Sequence, residues 1–183
     1  MPLRRVVVYC GSSPGSHGEY VDTAQALGRT LAERNIELVY GGAKVGTMGA
    51  IADATLEAGG RVIGVIPSTL VEMEVAHEGL SEFHEVATMH ERKALMLELS
   101  DGAITLPGGH GSLDELFEAL AWLQLGIHSI PIGLLNVRGY YDHLLAHLNH
   151  ARTEGFLAPD HHELLLVEED ADRLLDLMAR FRS

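Results

Sequence analysis

The stretch GAITLPGGHGSLDEL, residues 102–116, decides the fold. Gly102–Leu106 is a short apolar run, Pro107–Ser112 is a loop with three glycines, and from Leu113 the apolar residues recur at helical spacing as far as Leu125. This is a strand, a glycine turn and a helix in succession. The same unit recurs in both directions. Toward the N-terminus, Arg5–Cys10 is followed by Gly11-Ser12-Ser13-Pro14-Gly15 and a helical stretch at Glu19–Arg34, with Val21, Ala24, Leu27, Leu31 and Ala32 near one face. Ile36–Tyr40 leads through Gly41-Gly42 to a helix at Thr47–Ala58, and Arg61–Ile66 is closed by Pro67. A less regular stretch, Ser68–Val86, precedes a helix at Met89–Leu99. Toward the C-terminus come a strand at Ile130–Leu135, a helix at Tyr140–Arg152, a short run at Glu163–Val167 and a helix from Asp170.

Alternating apolar strands and helices imply a parallel sheet covered on both faces. Right-handed crossovers make it an α/β, Rossmann-like, doubly wound sandwich. No linker, repeat or low-complexity tract interrupts residues 1–183, so a single domain is expected. Ligands of such sheets bind at the carboxyl ends of the strands. The glycines fall there: Gly11, Gly41-Gly42 and Gly108-Gly109.

Composition narrows the function classes. Hydrophobic residues are 46% and charged residues 21% of the 183, which excludes intrinsic disorder. With 26 acidic and 13 basic residues the formal charge is −13, so no nucleic-acid partner is expected, whereas a local site for one small anion is compatible. The single cysteine, Cys10, can form no internal disulfide and suggests a reducing compartment. The run Val6–Cys10 is too short for an export signal and no stretch is long enough to span a bilayer, so a cytoplasmic location and no membrane partner are expected.

Glycines let a backbone approach a ligand and aim its N–H groups at one point, and a helix N-terminus adds about half a positive charge. Residues 107–115 thus read as a phosphate site. They also fit a plain strand–helix turn in which Ser112-x-x-Glu115 is a capping box. The loop lacks the Gly-Lys-Ser/Thr ending of a P-loop, and no G-x-G-x-x-G follows the first strand. On the helix at Met89–Leu99, Arg92 shares a face with Leu95, Met96 and Leu99, so a guanidinium points inward. It needs an anion there, either a structural carboxylate or a ligand.

On the helix after the loop, Leu113, Leu116, Phe117, Leu120 and Gln124 are expected as the core stripe, with Glu115, Glu118 and Trp122 opposite. The only tryptophan on an outer face suggests cover by a second copy, or by a loop of its own chain. His143, His147 and His150 share a helix face at metal-ligand spacing. Without a carboxylate constellation they read as solvated, and no metal is expected.

Pro-Gly-Gly-x-Gly-[Thr/Ser]-x-x-Glu at 107–115, preceded by Met89-His90-Glu91-Arg92-Lys93, resembles the LONELY GUY family of cytokinin-activating phosphoribohydrolases, also known as lysine decarboxylase-like proteins. Cys10-Gly11-Ser12-Ser13, Leu38–Gly42, Gly46-Thr47-Met48-Gly49, Gly64–Pro67, Trp122–His128 and Leu134–Asn136 stand in family order. The resemblance implies a homodimeric Rossmann-like enzyme without cofactor. It would split the N-glycosidic bond of a purine nucleoside 5′-monophosphate, a cytokinin nucleotide or AMP, into free base and ribose 5-phosphate. It implies Arg92 and Glu115 as catalytic residues and Gly108, Gly109, Gly111 and Ser112 as the phosphate loop. It implies Glu74 and Lys93 as further ligand contacts, and Gly11, Ser12, Ser13, Gly41, Gly42, Met89, His110 and Asp114 are also expected to contact the substrate. Ser112 stands where threonine is usual, Asp114 where glutamate is common, and Ala121 where threonine often precedes the tryptophan. A pyridoxal-phosphate decarboxylase would have to use Lys44 or Lys93, the only lysines. A non-catalytic nucleotide binder would not need both Arg92 and Glu115.

Overall fold

A computed structural model describes residues 3–72 and 76–181. The elements run β1 (Arg5–Tyr9), α1 (Gly18–Glu33), β2 (Glu37–Tyr40), α2 (Gly46–Glu57), β3 (Val62–Pro67), α3 (Ser68–Glu72), β4 (Glu82–Val86), α4 (Met89–Glu98), β5 (Gly102–Thr105), α5 (His110–Gln124), β6 (Ile132–Leu135), α6 (Asp142–Thr153), α7 (Pro159–His162), β7 (Leu165–Glu168) and α8 (Ala171–Arg180). A 3-10 turn at Val137–Gly139 precedes α6.

All strand pairs are parallel, in the order β4-β3-β2-β1-β5-β6-β7. Winding runs outward from β1 to β4, then returns to place β5 beside β1, with Val7 opposite both Val39 and Ala103. The direction of winding therefore switches between β1 and β5, where a doubly wound sheet opens its crevice.

The period-2 alternation of strand side chains divides the core in two. Val6 and Val8 join Leu38 and Ile104 under Leu27 and Leu31 of α1, Ile51 of α2 and Leu174 of α8. Val7 and Tyr9 join Val39, Ile63 and Ala103 under Met96 of α4 and Leu116, Ala119 and Leu123 of α5. Strands buried on both sides must be apolar throughout, which is why β1 and β3 read as continuous runs.

Three expectations need correction. The irregular stretch after Pro67 contains the short helix α3 and the edge strand β4. Helix α5 starts at His110 rather than Leu113, and its buried stripe is Ser112, Leu116, Ala119 and Leu123. Phe117 and Gln124, expected inside, are exposed. Trp122 is half-buried against the α4/α5 core rather than on a fully outward face.

Candidate active site

A cavity of about 520 Å³ opens at the carboxyl ends of β1, β2 and β5. Cys10, Gly11, Ser12 and Gly41 come from the strand ends, and Met89 and Arg92 from α4. Gly109, His110, Gly111, Ser112, Asp114 and Glu115 come from the start of α5. The remaining wall is apolar: Val45 and Met48 at the start of α2, and Leu70 of α3.

The glycine loop supplies the part of the wall suited to receive an anion. Gly109 is the N-cap of α5 and offers no side-chain cap. The N–H groups of the first helical turn, at His110, Gly111 and Ser112, therefore have no acceptor within the helix. These residues line the cavity at the positive end of the helix dipole. Ser112 lies inside the helix, so the capping-box reading of Ser112 and Glu115 is excluded. The Ser112 hydroxyl packs so close to Gly108 that a Cβ on residue 108 would stand 2.1 Å from it.

Arg92 is buried, as its place on an apolar stripe suggests. Its partners are two carbonyls and a thioether: Nε donates to Val65 O at 3.1 Å, Nη2 to Gly41 O at 2.8 Å and Nη1 to Met89 Sδ at 3.8 Å. No carboxylate among the described residues stands within ion-pair distance of it. Burial pulls its pKa down, against the opposing pull of Glu115. These uncharged partners orient the guanidinium, and among the described residues no contact neutralises its charge on the cavity wall.

Glu115 is half-buried on the side of α5 that opens into the cavity, next to the buried stripe rather than opposite it. No hydrogen bond to it is found among the described residues. Burial pushes its carboxyl up to about 7, with Arg92 pulling down and Asp114 pushing up. A carboxylate poised near neutrality can exchange a proton with a reacting group at physiological pH. The Cys10 thiol, by contrast, is pushed up to about 12 by burial and is no nucleophile.

Lys93 is buried and lines neither this cavity nor its neighbour. Its ammonium joins Asp114 at 2.9 Å and Glu118 at 2.8 Å. Burial would lower its pKa, but hydrogen bonds to Glu118 and Asp114 raise it. Lys93 thus ties α4 to the first turns of α5 on either side of Glu115. Gly42 turns behind the cavity, with its carbonyl accepting the His77 N–H at 2.9 Å. Ser13 and Gly108 line a second cavity of about 280 Å³, which shares Gly11, Ser12 and Gly109 with the first. Glu74 lies outside the described residues.

Reading the residues alone missed the apolar wall of Val45, Met48 and Leu70. It also missed Glu118 as a partner of Lys93, and Thr47, whose hydroxyl donates to Gly11 O at 3.0 Å. The Gly46-Thr47 helix start just after Gly41-Gly42 was the available signal for the last of these.

Comparison with known proteins adds to this geometry. A family model described as "Possible lysine decarboxylase" matches residues 48–178. A cytokinin riboside 5′-monophosphate phosphoribohydrolase of Arabidopsis thaliana is 46% identical over 179 residues, covering 98% of this chain and 83% of that protein. One of Oryza sativa subsp. japonica is 47% identical over 173 residues, covering 94% and 72%. Among solved structures, the molybdenum cofactor carrier protein of Chlamydomonas reinhardtii superposes with a TM-score of 0.73 at 17% identity, covering 98% of each chain. That last likeness concerns the fold.

Proposed function

The chain belongs to the LONELY GUY family of phosphoribohydrolases, and from that premise we propose how its cavity works. The protein is an N-glycosidase that hydrolyses a cytokinin riboside 5′-monophosphate to free base and ribose 5-phosphate. The observation that supports the mechanism best is the pairing of an uncapped, anion-seeking helix start with a carboxylate held near neutrality one turn further along the same helix.

The 5′-phosphate sits on the N–H groups of His110–Ser112, with Arg92 adding positive charge nearby. One turn of α5, about 5.4 Å, carries the wall from that anion site to the Glu115 carboxylate, so the ribose lies along the helix with C1′ toward Glu115. The base then rests on the apolar wall of Val45, Met48, Leu70 and Met89. Breaking the C1′–N9 bond leaves positive charge on the ribose, as in other glycosyl transfers. Glu115 in its ionised form stabilises that charge and takes a proton from the attacking water. The water oxygen bonds to C1′, the electron pair of the broken bond goes to the base nitrogen, and the proton that Glu115 took from water passes to the base, which leaves neutral and returns Glu115 to its ionised form. Binding energy from the remote phosphate orients the ribose for this step.

Lysine decarboxylation, the chemistry in the family model's description, would need an amine free to form a Schiff base. Lys93 is held protonated between two carboxylates, and Lys44 is exposed and does not line the cavity. The residues present do not fit that chemistry.

The phosphate requirement tests the placement. Adenosine should be turned over at least about tenfold less efficiently than AMP, since losing even one charge-assisted contact costs about 1.5–3 kcal/mol. Chromatography of released adenine reads both rates, and equal kcat/KM for the two would remove the phosphate from the helix start.

The assembly we propose is a homodimer. On and just after α5, Phe117, Leu125 and Ile127 are 39%, 71% and 62% exposed, beside half-buried Trp122. An apolar patch of this kind marks an interface. Light scattering at micromolar concentration should give twice the 19.8 kDa chain mass, and a monomeric mass would contradict it.

A further inference from the structure

The glycine loop is gripped from outside by two consecutive tyrosines. Tyr140 Oη donates to Gly108 O at 2.7 Å, and Tyr141 Oη donates to Leu106 O at 2.8 Å. These carbonyls flank Pro107, at the point where the chain leaves β5 for α5. The tyrosines themselves are set by the turn after β6. The Tyr141 N–H donates to Asn136 Oδ1 at 2.8 Å, and Asn136 Nδ2 donates to Asp142 Oδ1 at 2.8 Å. Their rings meet edge to face at 4.8 Å, and Tyr140 meets Tyr20 of α1 at 5.8 Å in the same way. Tyr141 is buried, whereas Tyr140 is 45% exposed along the wall of the smaller cavity.

A loop that binds an anion must aim its N–H groups at the ligand and keep its carbonyl oxygens away from it, because an oxygen dipole turned toward a phosphate repels it. Glycine gives the loop the freedom to do either. Gly108 would otherwise be free to swing its carbonyl into the site, whereas Leu106, held extended by the proline that follows it, gives the turn a fixed second anchor. Two hydroxyl donors on one rigid turn hold both carbonyls outward.

We propose that Tyr140 and Tyr141 are positioning residues for the phosphate loop, fixing the Leu106 and Gly108 carbonyls away from the 5′-phosphate so that the His110–Ser112 amides face it. The inference rests on the phosphate placement above. Neither tyrosine lines the larger cavity, where the ribose and base are placed, so their contribution is confined to ligands that carry the phosphate.

Tyr140→Phe is the cleaner test, since it keeps the ring and both aromatic contacts and removes one hydroxyl at a half-exposed site. Calorimetry in a Glu115→Gln background, with Tyr140 kept or replaced, titrating AMP, ribose 5-phosphate and adenosine, separates phosphate binding from the rest without turnover. The Kd for AMP and for ribose 5-phosphate should rise about three- to tenfold, the range of one neutral hydrogen bond. Adenosine affinity and Tm should change little. Tyr141→Phe, at the buried position, should repeat the phosphate-specific loss. Unchanged ribose 5-phosphate affinity in both variants, or an equal loss for adenosine, overturns the proposal. The readout is binding, so a wild type that binds AMP without releasing base would defeat the catalytic reading and leave this one standing.

Discussion

Glu115→Gln is expected to give a folded protein that binds AMP but releases base at least about a hundredfold more slowly than wild type. Glutamine keeps the shape and the half-buried fit of the side chain and removes only the charge and the base. The phosphate grip, at the helix start and Arg92, is untouched, so AMP affinity should hold. Capping cannot account for a loss, because the helix begins before Ser112 and Glu115 is no partner of its N-cap. The pH profile gives the same prediction a second reading. With the carboxyl at about 7, kcat/KM should fall on acidification through that pH as Glu115 takes up a proton, and stay level above it. The variant should lose that limb. Stability runs the other way. The folded pKa lies above the unfolded carboxylate value, so the native state binds more protons between the two and loses stability as pH rises across that window. Glu115→Gln should therefore melt higher than wild type at pH 8 and no higher near pH 4. Base release near the wild-type rate would remove Glu115 from the mechanism.

Gly41→Ala should lower kcat/KM by about a hundredfold while the protein stays folded. A Cβ on residue 41 would stand 1.7 Å from Arg92 Nη2 and 2.5 Å from the Met48 methyl. What gives way is the end of a side chain rather than backbone, so the sheet survives. The guanidinium, however, must leave the Gly41 and Val65 carbonyls that orient it. A catalytic group displaced by about 1 Å can cost 10²-fold. Steady-state kinetics with a melting curve checks both halves. Normal turnover in a folded Gly41→Ala protein would mean that the position of Arg92 does not matter.

The fold was legible because strands buried on both faces must be apolar, and glycine turns punctuate them. β4 escaped because it is an edge strand: Glu82-Phe83-His84-Glu85-Val86 alternates half-buried and exposed residues and makes no apolar run. Helix α5 was read in the wrong rotation because its first turn holds His110, Gly111 and Ser112, which look like loop. Started at Leu113, the stripe takes in Phe117. In the structure the helix lies close on the sheet through Ser112 and Ala119, and Phe117 faces out. Arg92 was legible, since a charge on an apolar stripe is an anomaly that asks for a partner. Its carbonyl partners were not, because Gly41 and Val65 meet it only through the sheet. Tyr140 and Tyr141 gave no local sign at all, as their hydroxyls reach back across more than thirty residues to backbone oxygens.

The most direct measurement is a product balance on isopentenyladenosine 5′-monophosphate, with wild type and Glu115→Gln run side by side and both products quantified by chromatography. A phosphoribohydrolase working through Glu115 yields free base and ribose 5-phosphate in equal amounts from wild type, and almost none from the variant. Intact nucleotide after prolonged incubation with wild type, or equal release by the variant, would contradict it.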